Sequence, residues 1–599
     1  MSRARVTLLC LAWILAFALL LVRMVDLQVL HAARYQRLAL LQQTQSVRFP
    51  GHRGLIVDRV GRPLAENVEA QSVYAVPRAI ADAAMFARRV GPALGLAPSD
   101  VRARLRRGGP YFAWLARGLP AGALRSLRGL DLGETIGVVP EPRRAYPAGR
   151  LAASVIGFTG LDGAGLAGLE LQYDRLLRGA GGVGTADRDA IGRELIHTQR
   201  IVTPPRDGNT LVLTLDEVIQ HIAERELGRA LDRTGARAGV AIVMDPQTGD
   251  LLAIASLPSF DPNNYESAPP ALWRNSAIAG VYEPGSTFKV ILAAAALSSR
   301  AVTPQDRFSD PGRIRINGFT IRDAEPVGHR SALDLADIVV FSSNVGAAQV
   351  ATRLGKAVFY DYIRQFGFGQ PTGIDLPGEA AGIIRPASQW REPSLQTIAF
   401  GQGISVTPIQ LLVAAAALAT HGLAVTPHVV EVVRDPGGHV VATPGDLLPR
   451  RVIEPDVADR VLAMMRDVVQ KGTGTRAQVD GYTVAGKTGT AQRPSPTGGY
   501  DRRAYIASFV GVVPAASPRL AILVVVDGPR GAYAGGEVAA PIFQEIARQV
   551  LWYLHAPPER TPPADAAPPS SSARGPSPVQ RSSLPVQSDD ASISAAPRP

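Results

Sequence analysis

The chain has 599 residues, 46% hydrophobic and 19% charged, which allows several domains with sizeable cores. Its net charge is +11, but the arginines are scattered and no basic stripe interleaves with aromatics, so nucleic acid is not the expected partner. The single Cys10 excludes an intramolecular disulfide, and the 9 dispersed histidines lack metal-ligand spacing, so neither a metal nor a cofactor is expected.

In chain order, Val6–Val22 is almost purely apolar and follows Arg3 and Arg5. Such a run reaches roughly 25 Å as a helix. The charge-before-apolar order predicts residues 1–5 in the cytoplasm, a membrane anchor over 6–25 and the rest of the chain outside. No small-residue cleavage site follows, so an uncleaved anchor is favoured over a signal peptide. Residues 26–204 mix short strands, turns and helical stretches without a set of acids, nucleophiles or ligands, and look like a spacer or docking module.

Residues 205–555 carry the chemistry. Thr210–Leu215 reads as a strand, and Asp216–Leu231 shows helical spacing of Val218, Ile219, Ile222, Leu227 and Leu231. Val240–Asp245 and Leu251–Ser256 flank the turn Pro246-Gln247-Thr248-Gly249-Asp250, a hairpin signal. Tyr505–Val513 and Leu520–Val526 form another strand pair. Strands at both ends with helices between them predict one antiparallel sheet covered by helices, an α+β domain. Residues 556–599 are rich in Pro, Ser and Ala without apolar periodicity and are expected to be disordered.

Three clusters stand out. Glu283-Pro284-Gly285-Ser286-Thr287-Phe288-Lys289 breaks the chain and then enters a strong helix-former run. That places Ser286 at a helix start with Lys289 on the same face. A neutral Lys289 is a candidate base for Ser286, and the Ser286 N–H a candidate oxyanion donor. The bland alternative is an N-cap serine beside a solvated lysine. Phe341-Ser342-Ser343-Asn344 offers Ser342 as a proton relay and Asn344 to hold a substrate amide; taken alone, it reads more readily as a helix cap or turn.

The third cluster, Gly486-Lys487-Thr488-Gly489-Thr490, follows the strand-like run Tyr482–Ala485. An edge strand there would pair with an extended peptide. Lys487 supplies charge for a carboxylate, Thr488 and Thr490 supply hydroxyls, and the Thr490 N–H is a second candidate oxyanion donor. Gly481–Thr488 also fits the phosphate-binding loop pattern, which requires a helix opening at the lysine. The polar, Pro- and Gly-containing stretch after Thr490 cannot supply one.

Ser286-x-x-Lys289, Ser342-x-Asn344 and Lys487-Thr488-Gly489, in this order, resemble the signature of penicillin-binding proteins and related serine β-lactamases. Supporting segments are Gly401-Gln402-Gly403 with Thr407-Pro408, Gly535-Gly536 with Ala539-Ala540-Pro541, Arg53-Gly54, and Gly168-Leu169-Glu170. The chain resembles class B penicillin-binding proteins from residue 1 to about 550. That resemblance implies a penicillin-binding/serine β-lactamase-like transpeptidase domain, with its antiparallel sheet flanked by helices, on an N-terminal pedestal domain of dimerisation type. It implies Ser286, Lys289, Ser342, Asn344 and Lys487 as catalytic residues, and Thr488, Gly489 and Thr490 as substrate and oxyanion contacts. It implies peptidoglycan stem peptides and β-lactams as ligands. It also implies a SEDS-type glycan polymerase (FtsW-like) and other divisome proteins as partners. Gly157–Gly165 is similar to the division (FtsI-type) pattern and favours that role, at the septum, over elongation. The rivals are a β-lactamase or β-lactam sensor, which the anchor and long region before residue 205 disfavour, and a non-catalytic division scaffold, which the intact triplet disfavours.

Overall fold

The computed structural model describes residues 3–49, 51–187, 198, 200–316, 318–324, 332–445, 447–495 and 499–559. Arg3–Val25 forms one helix, α1, followed by a π-helical turn at Asp26–Leu30. Helix α1 buries nothing against the rest of the chain, and through Leu30 it is long and apolar enough to cross a membrane. Arg23 pairs with Asp26 at 2.6 Å where the apolar run ends.

The region after the anchor contains a small α/β unit. Its sheet has the order Ala113–Pro120, Ala70–Ala75, Ile136–Pro140. The helices Ala83–Ala93 and Pro98–Arg107 share a core with it around Val73, Phe86, Val90, Val101 and Leu115. A second sheet joins this region to the catalytic one. Thr210–Leu213 runs parallel to Ile56–Val57 on one side and antiparallel to Val430–Arg434 on the other. One sheet is thus built from chain on both sides of residue 205.

A buried ionic cluster holds the N-terminal region together internally. Arg53 meets Glu170 at 2.6 Å and Asp174 at 2.7 Å, and Arg144 meets Glu170 at 2.7 Å. Glu170 is fully buried. Nearby, the Tyr173 hydroxyl donates to Asp375 at 3.0 Å, and Asp375 accepts the N–H groups of Val429 and Val430.

The catalytic region is centred on a five-stranded antiparallel sheet. Its strands are β1 (Ala238–Met244), β2 (Leu251–Leu257), β3 (Ala485–Pro494), β4 (Tyr500–Val513) and β5 (Leu520–Asp527), in the order β2-β1-β5-β4-β3. Both sequence-predicted strand pairs are present, and β1 against β5 closes the sheet between them. Strand β3 starts at Ala485 rather than Tyr482 and runs on to Pro494, because its ladder with β4 begins at Ala485↔Val512.

Helices cover both faces. They are α2 (Glu217–Thr234), α3 (Lys289–Ser298), α4 (Asn344–Leu354), α5 (Pro408–Ala419), α6 (Pro455–Lys471) and α7 (Gly535–Tyr553). Alternation along β5 assigns the layers: Val524 packs in the cluster of Ile219, Leu227, Phe543 and Ile546 from α2 and α7. Leu523 and Val525 join the opposite cluster with Ile291 and Leu412. Every residue of α5 is buried, and so is all of α3 except Ser298. Both are Ala- and Leu-rich, which suits a helix enclosed on all sides.

Ala556–Glu559, expected to begin the tail, dock on the domain. The Tyr482 hydroxyl donates to the Ala556 carbonyl, and the Glu559 carboxylate accepts from Thr483. The rest of the tail, 560–599, lies outside the described residues.

Glu170→Ala would leave Arg53 and Arg144 buried without their shared acceptor. The expected cost is about 3–5 kcal/mol, read as a lower urea midpoint. An unchanged midpoint would show that the cluster does not stabilise the N-terminal region.

Candidate active site

The nucleophile turn is built by close backbone approach. Gly285 has φ +58°, and a Cβ there would sit 3.0 Å from the Thr490 carbonyl oxygen. Gly401 of the Gly-Gln-Gly segment presses on it from the other side, where an added Cβ would lie 2.2 Å from the Gly285 oxygen. Gly285–Phe288 is one 3-10 turn leading into α3, so Ser286 stands at a helix start, as the Pro-Gly break predicts.

Lys289 lies one turn on, fully enclosed. Its Nζ is 3.1 Å from Ser286 Oγ, 3.2 Å from Ser342 Oγ and 2.8 Å from Asn344 Oδ1, and it also bonds the Ser342 carbonyl. Burial, and then the Lys487 charge, push its pKa well below the usual lysine value, against smaller opposing effects of Asp323 and Asp310. A neutral amine has two hydrogens and one lone pair. The Ser342 carbonyl and Asn344 Oδ1 can take the hydrogens, which leaves the lone pair for the Ser286 hydroxyl. This geometry excludes the solvated-lysine alternative.

The second cluster is both cap and site. Ser343 is buried and N-caps α4: its Oγ accepts from the Gly346 N–H at 2.7 Å and donates to Asp310 at 2.6 Å. Asp323 Oδ1 accepts the N–H groups of Asn344 at 2.6 Å and Val345 at 3.1 Å. These anchors hold Ser342 at φ +61°, a left-handed conformation that costs a non-glycine residue about 1–3 kcal/mol. Asn344 is fixed through both ends of its amide, since its Nδ2 also donates to the Arg322 carbonyl at 3.0 Å. One Nδ2 hydrogen remains for a substrate carbonyl.

Asp310 and Asp323 were not singled out by the sequence. Asp310 precedes a β-hairpin, Arg313–Ile316 with Phe319–Arg322, and Asp323 follows it, in no motif of their own. Burial, with Asp310 alongside, lifts the Asp323 carboxyl to about 6.

The third cluster lies on β3, the sheet's edge. Gly489 is required by space, since a Cβ there would lie 2.4 Å from Ser508 Oγ and 2.8 Å from Thr287 Cγ2. Lys487 turns inward and is fully buried, with Nζ 3.1 Å from Ser342 Oγ, 3.1 Å from the Thr488 carbonyl and 3.3 Å from Thr488 Oγ1. Burial lowers its pKa to about 7. Because Lys487 sits within a strand, the phosphate-loop alternative fails on structure.

All eight sequence-predicted site residues therefore converge. Ser286, Ser342, Asn344, Thr488 and Thr490 line a cleft of about 730 Å³, with Gly489 at the tight crossing and the two lysines beneath. Tyr505 and Tyr533, missed by the sequence reading, stack at 4.3 Å and form part of the cleft wall. Glu283 was noted only as context. It is buried, with a raised pKa, and ties the nucleophile segment to the Gly403 N–H at 2.9 Å and to the Tyr500 hydroxyl at 3.2 Å.

The lowered pKa of Lys487 has a signed consequence. Between about 7 and the ordinary 10.5 the folded protein binds fewer protons than the unfolded chain, so this group's cost to stability falls as pH rises. The stability of Lys487→Met relative to the parent should therefore decline across that interval in denaturation at stepped pH. A pH-independent difference would refute the shift.

Comparison with known proteins identifies the family. Residues 239–548 match the penicillin binding protein transpeptidase domain, and residues 48–213 match the penicillin-binding protein dimerisation domain. The chain is 35% identical to stage V sporulation protein D of Bacillus subtilis, over 93% of this chain and 87% of that protein. It is 33% identical to the peptidoglycan D,D-transpeptidase FtsI of Escherichia coli, over 93% and 92%. Among solved structures, penicillin binding protein 3 from Mycobacterium tuberculosis, complexed with aztreonam, superposes with TM-score 0.67 at 29% identity, covering 86% of this chain and 98% of that one. With both domains matched and relatives of this identity covered over nearly their whole length, the chain belongs to the class B penicillin-binding proteins, a family of serine acyltransferases.

Proposed function

We propose that this protein cross-links peptidoglycan stem peptides in the septal wall, using Ser286 as the acylated nucleophile. The carrying observation is the placement of Lys289 Nζ within bonding distance of Ser286, Ser342 and Asn344 at once. An extended stem peptide pairs along edge strand β3. Ser286 Oγ attacks the carbonyl of the terminal D-Ala–D-Ala bond, and its proton passes to Lys289. The N–H groups of Ser286 and Thr490 receive the oxyanion. The C–N bond breaks as the leaving D-alanine nitrogen gains a proton through Ser342, which Lys289 and Lys487 both contact. An amine of a neighbouring stem then attacks the acyl carbon, the Ser286 ester bond breaks, and the amine's proton returns to Oγ. The hydroxyls of Thr488 and Thr490, with the Lys487 charge behind them, draw the substrate carboxylate into place. A β-lactam presents a similar strained amide and acylates Ser286 in the same way.

Helix α1 serves as a single-pass anchor, with the catalytic domain on the outer, periplasmic side of the cell membrane. A SEDS-type glycan polymerase (FtsW-like) supplies the strands, among other divisome proteins. The division role is supported by the Gly157–Gly165 segment and by the likeness to FtsI.

Intact-mass measurement with penicillin tests the chemistry. The parent protein should gain one long-lived penicillin mass, and Ser286→Ala none. Lys289→Arg, which cannot deprotonate, should acylate about 10²–10⁴ times more slowly. Rapid drug hydrolysis with a fleeting adduct would favour a β-lactamase instead. A fluorescent fusion should collect at midcell in dividing cells, whereas uniform labelling of the side wall would reject the septal assignment.

A further inference from the structure

Lys487 and Lys289 lie beneath the cleft, so neither presents an open charge to its surface. Three charged side chains line it: Arg322 at the end of the hairpin, and Arg476 with Glu537 together at one corner. Arg476 is on the 3-10 turn Thr475–Ala477, and Glu537 is in the first turn of α7. Both are exposed, and among the described residues neither has a hydrogen-bond or ion-pair partner.

The corner is assembled tightly around the third motif. Thr473 Oγ1 lies 2.7 Å from Thr488 Oγ1. Gly536 is packed so closely that a Cβ would lie 2.4 Å from the Thr473 carbonyl oxygen. The Gly535 N–H donates to Thr490 Oγ1 at 3.0 Å. The turn bearing Arg476, the helix start bearing Glu537 and the Thr488 end of β3 are therefore one rigid unit. An acid in the first turn of a helix is favourable by itself, but that does not account for the free arginine beside it.

We propose that Arg476 and Glu537 form the acceptor subsite, selecting an amine whose own carbon also bears a carboxylate. The inference rests on the transpeptidase reading and supplies its acceptor class. The departing D-alanine has its nitrogen on a carbon that bears a carboxylate. The acceptor nitrogen enters toward the same acyl carbon from the side the leaving nitrogen vacates. An acceptor with an amino-acid centre then places its carboxylate where that of D-alanine was, at Thr488 and Arg476. Its ammonium is met by Glu537, whose carboxylate takes one proton from it and passes it to solvent before attack. The new amide C–N bond forms, the Ser286 ester C–O bond breaks, and the amine's remaining extra proton goes to Oγ. A plain terminal amine, as on lysine, leaves Arg476 without a counter-charge.

The test uses the full-length, detergent-solubilised protein acylated by an acyl-D-alanyl thioester, with D-alanine or D-alaninamide as acceptor. Amide product is followed by mass spectrometry. The parent should prefer D-alanine. In Arg476→Ala, KM for D-alanine should rise roughly tenfold, the effect of losing one charge-assisted hydrogen bond, with kcat little changed. KM for D-alaninamide should stay put, and Arg476→Lys should recover part of the loss. Glu537→Gln should raise KM for both acceptors. An unchanged D-alanine to D-alaninamide preference in Arg476→Ala overturns the proposal, provided the variant still forms the penicillin adduct on Ser286; Arg476→Gln serves if the alanine variant does not fold. Absence of that adduct in the parent would instead reject the transpeptidase reading, and the subsite with it.

Discussion

The catalytic region is organised around one constraint: a lysine amine taken out of water. Lys289 Nζ is enclosed between the nucleophile turn and the start of α4, with acceptors from Ser342 and Asn344 in place of solvent. Enclosure makes the charged form costly and favours an amine with a lone pair. A second buried lysine, Lys487, touches the same serine and adds to that pressure. Asp310 and Asp323 oppose it, which keeps the site polar while they hold the backbone at Ser343 and Asn344.

This arrangement needs three separate pieces of chain to meet with little room to spare, and glycines set the spacing. Gly401 lets one loop touch the nucleophile turn, while Gly489 lets β3 cross Ser508 and Thr287. A larger residue at either place would push the nucleophile away from β3, the strand on which a peptide would lie. Helix α3, buried but for Ser298, and fully buried α5 supply the floor, so the turn that carries Ser286 is fixed by packing rather than by its own propensity.

The N-terminal region is joined to this domain by strand pairing and by a hydrogen bond across the boundary. Thr210–Leu213 pairs with strands from both regions. Tyr173 reaches Asp375 across the boundary, while Glu170 serves two arginines on the N-terminal side in a site closed to water.

Much of this was legible in the sequence because the signals are local. The apolar run of the anchor, the Pro-Gly break before Ser286, the strand alternation and turn chemistry of β1 with β2, and the Ser/Lys, Ser/Asn and Lys-Thr-Gly motifs all lie within a few residues of one another. Their spacing determined which groups would share a helix face or a strand. What only the tertiary structure decided depends on residues far apart in the chain. The inward turn of Lys487, the support of Ser343 by Asp310, the free charges of Arg476 and Glu537, and the mixed sheet spanning residue 205 leave no periodic or compositional trace. They arise when packed layers bring distant segments together, and burial then sets which charges are neutralised and which remain exposed.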